Sequence, residues 1–261
     1  MSASDARIGA RKRNCGCGVR HSDRRKEVSA KAAVLRGLSL LVLLVLCLSA
    51  SQLAEKANEE YATPMGRGRA VYQMDHAQRE AAEQTTRLIA SLGIKRGDAV
   101  VDIGTGVGHL LPYLVTYVGS QGVVVGEDIF PEFLSVAEGK INTAGWQNVQ
   151  TVLGTEQNPN LEQRRYDVAL LVDTYHHLNY PIPMLRAIRI ALKARGRLII
   201  VDYYRSRNHP RATDEDLQAH IRLDRDQVIG EVQTRGFHLL RQFDHLPNEY
   251  VLIFGASMSR P

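Results

Sequence analysis

Cysteine is nearly absent from this 261-residue chain, and its three copies, Cys15, Cys17 and Cys47, all precede residue 50. The rest of the chain therefore has no disulfide, no thiol nucleophile and no cysteine ligand for a metal. Cys15 and Cys17 are too close together for the usual zinc pair, and no second pair follows. A segment as long as the remainder buries enough of its own surface to fold without such cross-links.

An excess of basic residues is also missing after residue 36. Residues 1–36 contain ten Lys and Arg against three acidic residues, a net charge of +7, whereas the whole chain carries only +5. The remaining residues therefore carry a net charge of −2. Domains that bind nucleic acid usually present a basic surface, so we expect no nucleic-acid partner.

Long hydrophobic runs are limited to Leu38–Ala50, which has 13 residues and follows the basic stretch. The run is shorter than the roughly 20 apolar residues that span a bilayer, and its apolar residues lie on every side of a helix. We therefore expect 1–37 to be a basic, disordered leader and 38–54 to be a signal-peptide hydrophobic region or a membrane anchor. The protein would then be exported to the periplasm or held at the membrane through 38–54.

Strands and helices alternate after residue 76. Val/Ile/Leu-rich runs predict strands at Ala99–Ile103, Val123–Val125, Val149–Leu153, Val168–Val172, Leu198–Val201, Leu239–Phe243 and Tyr250–Phe254. Helical spacing predicts helices at His76–Leu92, Leu110–Val118, Pro131–Ala144, Met184–Leu192 and Arg225–Arg235. Continuous apolar runs are typical of strands buried on both faces of a parallel sheet.

The fold class that this pattern predicts for residues 76–258 is α/β. We expect a doubly wound, mostly parallel seven-stranded sheet of Rossmann-like architecture, with the last two strands as an antiparallel edge hairpin. Residues 55–75 are interpreted as a linker and entry segment. In such sheets the ligand lies beyond the carboxyl ends of the strands, near the point where the strand order reverses.

A glycine-rich turn, Val100–Leu110, follows the first predicted strand. Gly104, Gly106 and Gly108 let the backbone turn tightly and approach a ligand closely. The turn fails the dinucleotide pattern G-x-G-x-x-G, because the last position is His109 in one frame and Leu111 in the other. The carboxylate of Asp102 would repel a diphosphate and suits a ligand with cationic amino and sulfonium groups. The turn therefore favours S-adenosylmethionine (SAM) over NAD.

An acidic pair ends the second predicted strand. Asp128 lies 24 residues after Gly104, close to the spacing at which such folds place a carboxylate against the ribose hydroxyls. Glu127 is an adjacent competitor for that role. Alternatively, Asp128 caps the helix that begins near Pro131.

The chain resembles the class I SAM-dependent methyltransferase superfamily over residues 62–258, and is most similar to a bacterial group of exported or membrane-associated members with unassigned substrates. The resemblance rests on DIGTGVG, EDIFPEFL, GTEQNPNL, YDVALLVDTYHHL, MLRAIRIALKARGRLIIVDY and GFHLLRQF with YVLIF. It implies that the methionine part of SAM is lined by Asp102, Gly104, Thr105, Gly106 and Gly108. It also implies that Asp128 binds the ribose and that Ile129 packs on the adenine.

The resemblance extends to the ends of the third and fourth strands. Thr155 occupies the position that is usually acidic, so Glu156 or Gln157 would contact the adenine amine. Asp173 would lie beside the sulfonium. The usual Lys-Pro-Gly-Gly turn before the fifth strand reads Lys193–Gly196 here, which we expect to alter the turn and leave the site unchanged.

Methyl transfer from SAM to a small-molecule acceptor is the function that the resemblance implies; the alternative is an inactive binding module with the same fold. His176 and His177 are candidate bases for a hydroxyl acceptor, although such residues also act as helix caps or packing residues. We expect no metal site, because adjacent histidines rarely face one ion. His220 is interpreted as a surface or satisfied residue. The loop Asp202–Pro210 forms either part of the acceptor wall or a solvated crossover.

Overall fold

Seven strands form one sheet at the centre of the structure. The computed structural model describes residues 54–76, 78–205, 213–244 and 248–256, all of which belong to the compact unit Ser49–Pro261. The strands are β1 (Ala99–Ile103), β2 (Val123–Asp128), β3 (Val149–Leu153), β4 (Tyr166–Val172), β5 (Leu192–Tyr203), β6 (Phe237–Phe243) and β7 (Glu249–Ala256). Their spatial order is β3-β2-β1-β4-β5-β7-β6.

The direction of the strands confirms the predicted fold class. β1 to β5 are all parallel to one another, whereas β7 is antiparallel to both β5 and β6. The chain starts in the middle of the sheet, builds β2 and β3 on one side, and then returns to add β4 and β5 on the other. The connections after β1 and β4 therefore diverge, which opens a crevice at the carboxyl ends of these two strands.

Helices cover the two faces of the sheet. They are α1 (Pro64–His76), α2 (Gln78–Ser91), α3 (Leu111–Val118), α4 (Pro131–Ala144), α5 (Pro181–Ala191), α6 (Asp214–His220) and α7 (Arg225–Gln233), with 3-10 turns at Glu59–Ala62 and Tyr175–His177. Proline stands in the first turn of α3, α4 and α5, where its missing N–H leaves no helical bond unmade. Side-chain capping boxes begin α6 and α7.

The core lies on both faces of the sheet, because the central strands alternate their buried side chains between two clusters. Val100 and Val168 belong to one cluster, and their neighbours Val101 and Ala169 belong to the other. The strands are apolar on both faces for this reason, as the continuous runs predicted.

The structure differs from the sequence prediction in the entry segment, in a helix after β5 and in the start of β5. The entry segment 55–75 contains α1 and a 3-10 turn, and α6 was not predicted at all. β5 begins at Leu192 and runs through Lys193–Gly196, with a shift of register against β4 between Tyr166 and Val168. The predicted leader and apolar run fall in residues 1–53, outside the described residues. Within the part that is described, no helix combines the length and apolarity needed to cross a membrane.

Candidate cofactor cavity and histidine cluster

The turn after β1 brings bare backbone against the crevice. Gly104 has a φ of 72°, and a Cβ at this position would lie 2.4 Å from the Thr174 side chain of the β4 loop. Gly106 has a φ of 55°, and its nearest neighbour would be the Met74 sulphur at 3.3 Å. Only glycine adopts such left-handed conformations without strain. The two loops can therefore meet closely and leave the backbone of Gly106 open to a ligand.

A cavity of about 720 Å³ lies at this end of the sheet. Its volume is within the range of about 300–1,000 Å³ that holds small ligands in proteins. The carboxyl ends of β1, β2 and β4, the loop after β3 and the segment from Glu55 to Met74 form its wall. Several of the site residues predicted from the sequence line this cavity. They are Gly104, Gly106, Asp128, Ile129, Glu156, Asp173 and His177.

Three of the candidate cofactor residues lie behind the wall of this cavity. Asp102 is only 2% exposed, and the Thr105 hydroxyl donates to its Oδ2 at 2.7 Å. A Cβ on Gly108 would meet Leu111 and Ala137, so this glycine allows close packing of α3 against α4. Asp102 and Thr105 therefore hold the turn in place from its buried side. The backbone of Gly104 and Gly106 lies between them and the cavity.

The two acidic residues at the end of β2, Glu127 and Asp128, both line the cavity but differ in their hydrogen bonds. The carboxylate of Asp128 accepts the backbone N–H groups of Gly106 and Phe130 at 2.9 and 3.0 Å. Each of its oxygens keeps a lone pair, so the group both orders the loops and remains able to accept a hydroxyl. Glu127 is 1% exposed and also lines the cavity. Asp128 therefore does not cap α4, whose first turn has no side-chain cap, but it orders the two loops and leaves room for a hydroxyl donor.

Two buried carboxylate oxygens stand out because they lack partners. Within the described ranges, neither Glu127 Oε1 nor Asp173 Oδ1 has a hydrogen-bond partner. Burial raises the pKa of both carboxyl groups well above the ordinary values, with the charge of Asp128 adding to the effect on Glu127 and that of Glu249 adding to the effect on Asp173. A buried acceptor without a donor costs about 1–3 kcal/mol, so both groups are suited to a ligand that brings donors or positive charge.

Asp173 is also strained in its backbone. Its φ of 51° lies in the left-handed region, which residues other than glycine adopt rarely, although Asp and Asn are among the more tolerant. The strain occurs directly after β4, where the Asp173 side chain lines the cavity. Strained backbone of this kind is concentrated at ligand sites.

Burial raises the pKa of Asp102 to about 7, because the donated hydrogen bond of Thr105 offsets only part of the desolvation and Asp128 adds repulsion. Burial raises the pKa of Asp128 as well. A cation in the cavity would favour the ionised forms of these groups. Arg67 lines the cavity too, but its guanidinium is paired with Glu132 at 2.8 Å. The cavity therefore carries an acidic lining.

The segment before α2 supplies lining residues that the sequence prediction missed. The Tyr61 ring packs on the rings of Phe130, Phe133 and His177, with centroids 5.6–6.0 Å apart. The Arg67 side chain ties the start of α1 to α4 through Glu132 and also donates to the Tyr61 carbonyl at 2.9 Å.

The end of the β3 loop is more open. Glu156 is exposed and accepts a hydrogen bond from the Asn179 amide at 3.1 Å. Thr155 also lines the cavity. Glu156 is therefore within the wall at the place where the resemblance puts the adenine.

Three histidines meet at the other side of the cavity. His176 and His177 follow β4, and His220 ends α6; their ring centroids lie 4.1, 5.0 and 5.3 Å apart. His176 is buried, and its Nδ1 lies 2.6 Å from Oδ1 of Asp202. Burial and the neighbouring histidines hold the pKa of His177 and His220 below the ordinary value. His220, which was set aside in the sequence analysis, thus joins both candidate bases.

Known proteins share this fold. Residues 101–198 match the family described as "Methyltransferase domain". The fold is that of a SAM-dependent methyltransferase from Aquifex aeolicus, with a TM-score of 0.64 and 23% identity over 72% of this chain and 97% of that one.

Two curated relatives show similarity at the level of sequence. The chain is 28% identical over 109 residues to protein-L-isoaspartate O-methyltransferase 2 of Archaeoglobus fulgidus, which is 42% of this chain and 47% of the relative. It is also 28% identical over 116 residues to a ubiquinone/menaquinone biosynthesis C-methyltransferase of Francisella philomiragia, which is 44% of this chain and 46% of the relative. The chain spans about half the length of these relatives. It therefore has the fold of SAM-dependent methyltransferases and contains a segment similar to methyltransferase domains.

Proposed function

We propose that this protein transfers a methyl group from SAM to a small-molecule acceptor. The observation that carries the proposal is Asp173: a carboxylate on strained backbone, in the wall of a cavity beyond the carboxyl end of β4, with one buried oxygen that has no hydrogen-bond partner among the described residues. The similarity of residues 101–198 to methyltransferase domains supports the same reading.

The residues of the cavity fit SAM better than a nicotinamide dinucleotide. SAM brings a cationic amino group and a sulfonium, which the open oxygens of Asp173 and Glu127 would stabilise. A diphosphate would place its charge against the same carboxylates and repel them. The open backbone of Gly106 would receive the methionine part, and Asp128 would accept the ribose hydroxyls with its remaining lone pairs.

Catalysis would then depend mainly on alignment. SAM supplies an activated methyl group, so the chain has to hold the acceptor in line and remove its proton when the acceptor is a hydroxyl. His177 lines the cavity, and His176 next to it is oriented by Asp202. These two histidines would receive or relay that proton.

An inactive binding module is the second candidate. It would keep the cavity and the cofactor while lacking an acceptor site. The two candidates differ in one observable: an active enzyme converts SAM to S-adenosylhomocysteine in the presence of its acceptor, whereas a binding module does not. A panel of hydroxyl, amine, thiol and carboxylate compounds, read out as S-adenosylhomocysteine formed, separates them.

Binding is tested by calorimetric titration of the full chain with SAM, S-adenosylhomocysteine and NAD. We expect the two sulphur nucleosides to bind and NAD not to bind. Asp173→Asn should weaken SAM by about tenfold more than S-adenosylhomocysteine, because only SAM carries the sulfonium charge. Asp167→Asn is the matched control: it lies on the same strand at the opposite end and pairs with Lys193. If the wild-type chain binds neither sulphur nucleoside, the proposed function is wrong.

The location of the protein is a separate part of the proposal. The apolar run Leu38–Ala50 behind a basic stretch supports export or attachment to a membrane through residues 38–54. The net charge of −2 after residue 36 supports an acceptor other than nucleic acid. Fractionation of cells that express the full chain, with detection by a C-terminal antibody tag, tests the first point.

A further inference from the structure

Three imidazole rings from two distant parts of the chain converge beside the cofactor cavity. His176 and His177 lie in the 3-10 turn after β4, and His220 is the last residue of α6. One ring nitrogen from each lies within 4.8 Å of the other two. Zinc–nitrogen bonds of about 2.0–2.1 Å in tetrahedral geometry place ligand nitrogens roughly 3.3 Å apart. Small rotations of the side chains therefore suffice to bring all three nitrogens onto one ion.

Hydrogen bonds fix which nitrogen of His177 is free. The Asn58 amide donates through Nδ2 to the His177 carbonyl at 2.8 Å, so its Oδ1 is the atom that lies 2.8 Å from His177 Nδ1. An amide oxygen only accepts, so Nδ1 carries the proton. The Nε2 atom of His177 is then the unprotonated nitrogen, which is the form that binds a metal.

His176 is oriented in the same manner by a carboxylate. Asp202 is 1% exposed and accepts both the backbone N–H of His176, at 2.9 Å, and the ring Nδ1, at 2.6 Å. A carboxylate on Nδ1 leaves Nε2 as the ligand atom. Histidines that bind metals almost always have such a partner on the other ring nitrogen. Two of the three histidines thus have the supporting contacts of a metal site.

The surroundings also favour a cation. Asp202 contacts His176 directly. Burial raises the pKa of both Asp173 and Glu249, that of Glu249 to about 6, and the charge of Asp202 adds to the effect on both. A divalent ion held by neutral imidazoles would lower the cost of their burial.

The cluster lies between two cavities. His177 lines the cavity of about 720 Å³, and His220 lines a second one of about 490 Å³ together with Tyr203, Lys56 and Glu59. An ion on the three histidines would therefore have one side facing the place where the resemblance puts the methyl group.

We propose that His176, His177 and His220 form a site for a divalent transition metal ion of the zinc type, with an open coordination position for an acceptor oxygen. Three histidines with an open fourth position are typical of catalytic rather than structural zinc. The role of the acceptor rests on the proposed function, whereas the metal site does not. With their free nitrogens on the ion, His176 and His177 would no longer accept the acceptor proton themselves; a metal-bound hydroxyl would instead lose it to solvent more readily. Its oxygen would form the bond to carbon as the sulphur–carbon bond breaks, with that electron pair remaining on sulphur.

Metal binding is tested directly on the full chain, without a histidine tag and after removal of metals with a chelator. We expect Co²⁺ to bind with one equivalent and to give the visible absorption of a four- or five-coordinate ion, and Zn²⁺ to displace it. His220→Ala should weaken binding by at least about tenfold; this residue is exposed, so the change should not disturb the fold. Asn58→Ala should weaken binding about 10–100-fold without removing a ligand.

His238→Ala is the matched control. This histidine is exposed on β6 and pairs with Gly255, whose other partner is Arg197 near the start of β5, at the opposite end of the sheet. Absence of the Co²⁺ spectrum, or equal binding by wild type, His220→Ala and His238→Ala, would overturn the metal site.

Titration of the same samples with S-adenosylhomocysteine keeps the two proposals apart. Metal binding without nucleoside binding leaves the metal site standing and removes the methyltransferase. Nucleoside binding without metal binding does the reverse.

Discussion

Asp173 concentrates three unfavourable features in one residue. Its backbone is left-handed, one of its carboxylate oxygens is buried without a donor among the residues described here, and its charge is repelled by Glu249 and Asp202. Each feature costs free energy in the ligand-free protein, although the Tyr203 hydroxyl donates to the other oxygen, Oδ2, at 3.3 Å. A ligand that brings positive charge would offset the missing hydrogen bond and the charge repulsion. The site is therefore preorganised for a cation.

The pH dependence of S-adenosylhomocysteine binding tests whether ionisation of Asp102 controls the affinity. Because its pKa is about 7, this carboxyl is mostly protonated at pH 6 and mostly ionised at pH 8. We expect the affinity for S-adenosylhomocysteine, whose amino group is cationic, to fall about tenfold from pH 8 to pH 6. Calorimetry at the two pH values measures the change.

Asp102→Asn should bind the nucleoside more weakly at pH 8 and show a smaller pH dependence. Asp128, Glu127 and the Thr105 hydroxyl remain around that position, so a residual dependence is expected. Asp98→Asn, just before β1 at the opposite end of the strand, is the control. An unchanged pH profile in Asp102→Asn would show that another group controls it.

A substitution at Gly106 tests whether the ligand lies against the backbone of the turn after β1. Gly106→Ala requires a left-handed alanine, which costs roughly 1–2 kcal/mol, and places a methyl group towards Met74 in the wall of the cavity. We expect lower stability and at least about tenfold weaker binding of S-adenosylhomocysteine.

Gly139→Ala is the contrasting change. Gly139 is exposed on α4 with open space around it, so alanine should stabilise the protein by about 0.5–1 kcal/mol and leave binding as it is. Thermal unfolding and calorimetry of both variants check the pair. Equal binding by Gly106→Ala and wild type would contradict the role given to this glycine.

At the level of elements, the segment before α2 acts as a cover for the cofactor cavity. It is held at two points: Asn58 bonds to the His177 carbonyl and ring, and Arg67 bonds to Glu132 on α4. Tyr61 lies between these anchors against Phe130 and Phe133. The cover is thus attached to the loops that would hold both the ribose and the acceptor.

Tyr61→Ala should weaken binding of S-adenosylhomocysteine several-fold, because it removes an aromatic wall of the cavity while the anchors remain. Tyr72→Ala, a change of the same size at a residue on α1 that is 63% exposed, should bind as the wild type does. Calorimetry gives the affinities, and circular dichroism shows whether α1 persists. Equal affinities for the two variants would mean that Tyr61 does not contact the ligand.

Elements with strong apolar patterns were predictable, and elements held by other means were not. The bounds of β1 and β3 agree with the sequence prediction. The Val and Ile run of β1 is buried on both faces, whereas β3 is an edge strand that is only partly buried. α1 was missed because it contains Gly66 and Gly68 and has no apolar stripe. α6 has only seven residues, and a local capping box begins it. Both elements line or border the cavities.

The histidine cluster was likewise only partly predictable from the sequence. His176 and His177 were recognised as candidates because they follow a strand that ends at the ligand edge of the sheet. His220 is 43 residues further along, and its approach depends on how α6 folds back after β5. No local pattern reports such a contact. The prediction of no metal site considered only ligands close in sequence, whereas the fold brings a third histidine, His220, to the pair.

On the scale of the whole molecule, the topology gathers acidic side chains at one edge of the sheet. The carboxyl ends of β1, β2, β4 and β5 carry Asp102, Glu127, Asp128, Asp173 and Asp202. Because these strands are parallel, their ends meet at the same edge. Burial then raises the pKa of Asp102, Glu127, Asp128 and Asp173 together, so the site affects the stability of the entire fold.

The stability of the ligand-free protein should therefore fall as the pH rises from 6.5 to 8. Over this range folded Asp102, with its pKa of about 7, still binds protons that the unfolded chain has already released. Its contribution to the free energy of unfolding is largest below pH 4 and is lost as the pH passes through 7; between pH 6.5 and 8 the loss is roughly 1 kcal/mol. Glu127 and Asp173 act in the same direction.

Thermal unfolding at pH 6.5 and 8 measures this effect as a difference of a few degrees. Asp102→Asn should reduce the difference, because an amide does not titrate. Saturating SAM should reduce it as well, since a cation in the cavity stabilises the ionised carboxylates of the folded state. A melting temperature that rises over this range would mean that burial does not raise the pKa of the acids at this edge of the sheet in the ligand-free protein, so Asp102 would not be half-protonated near pH 7.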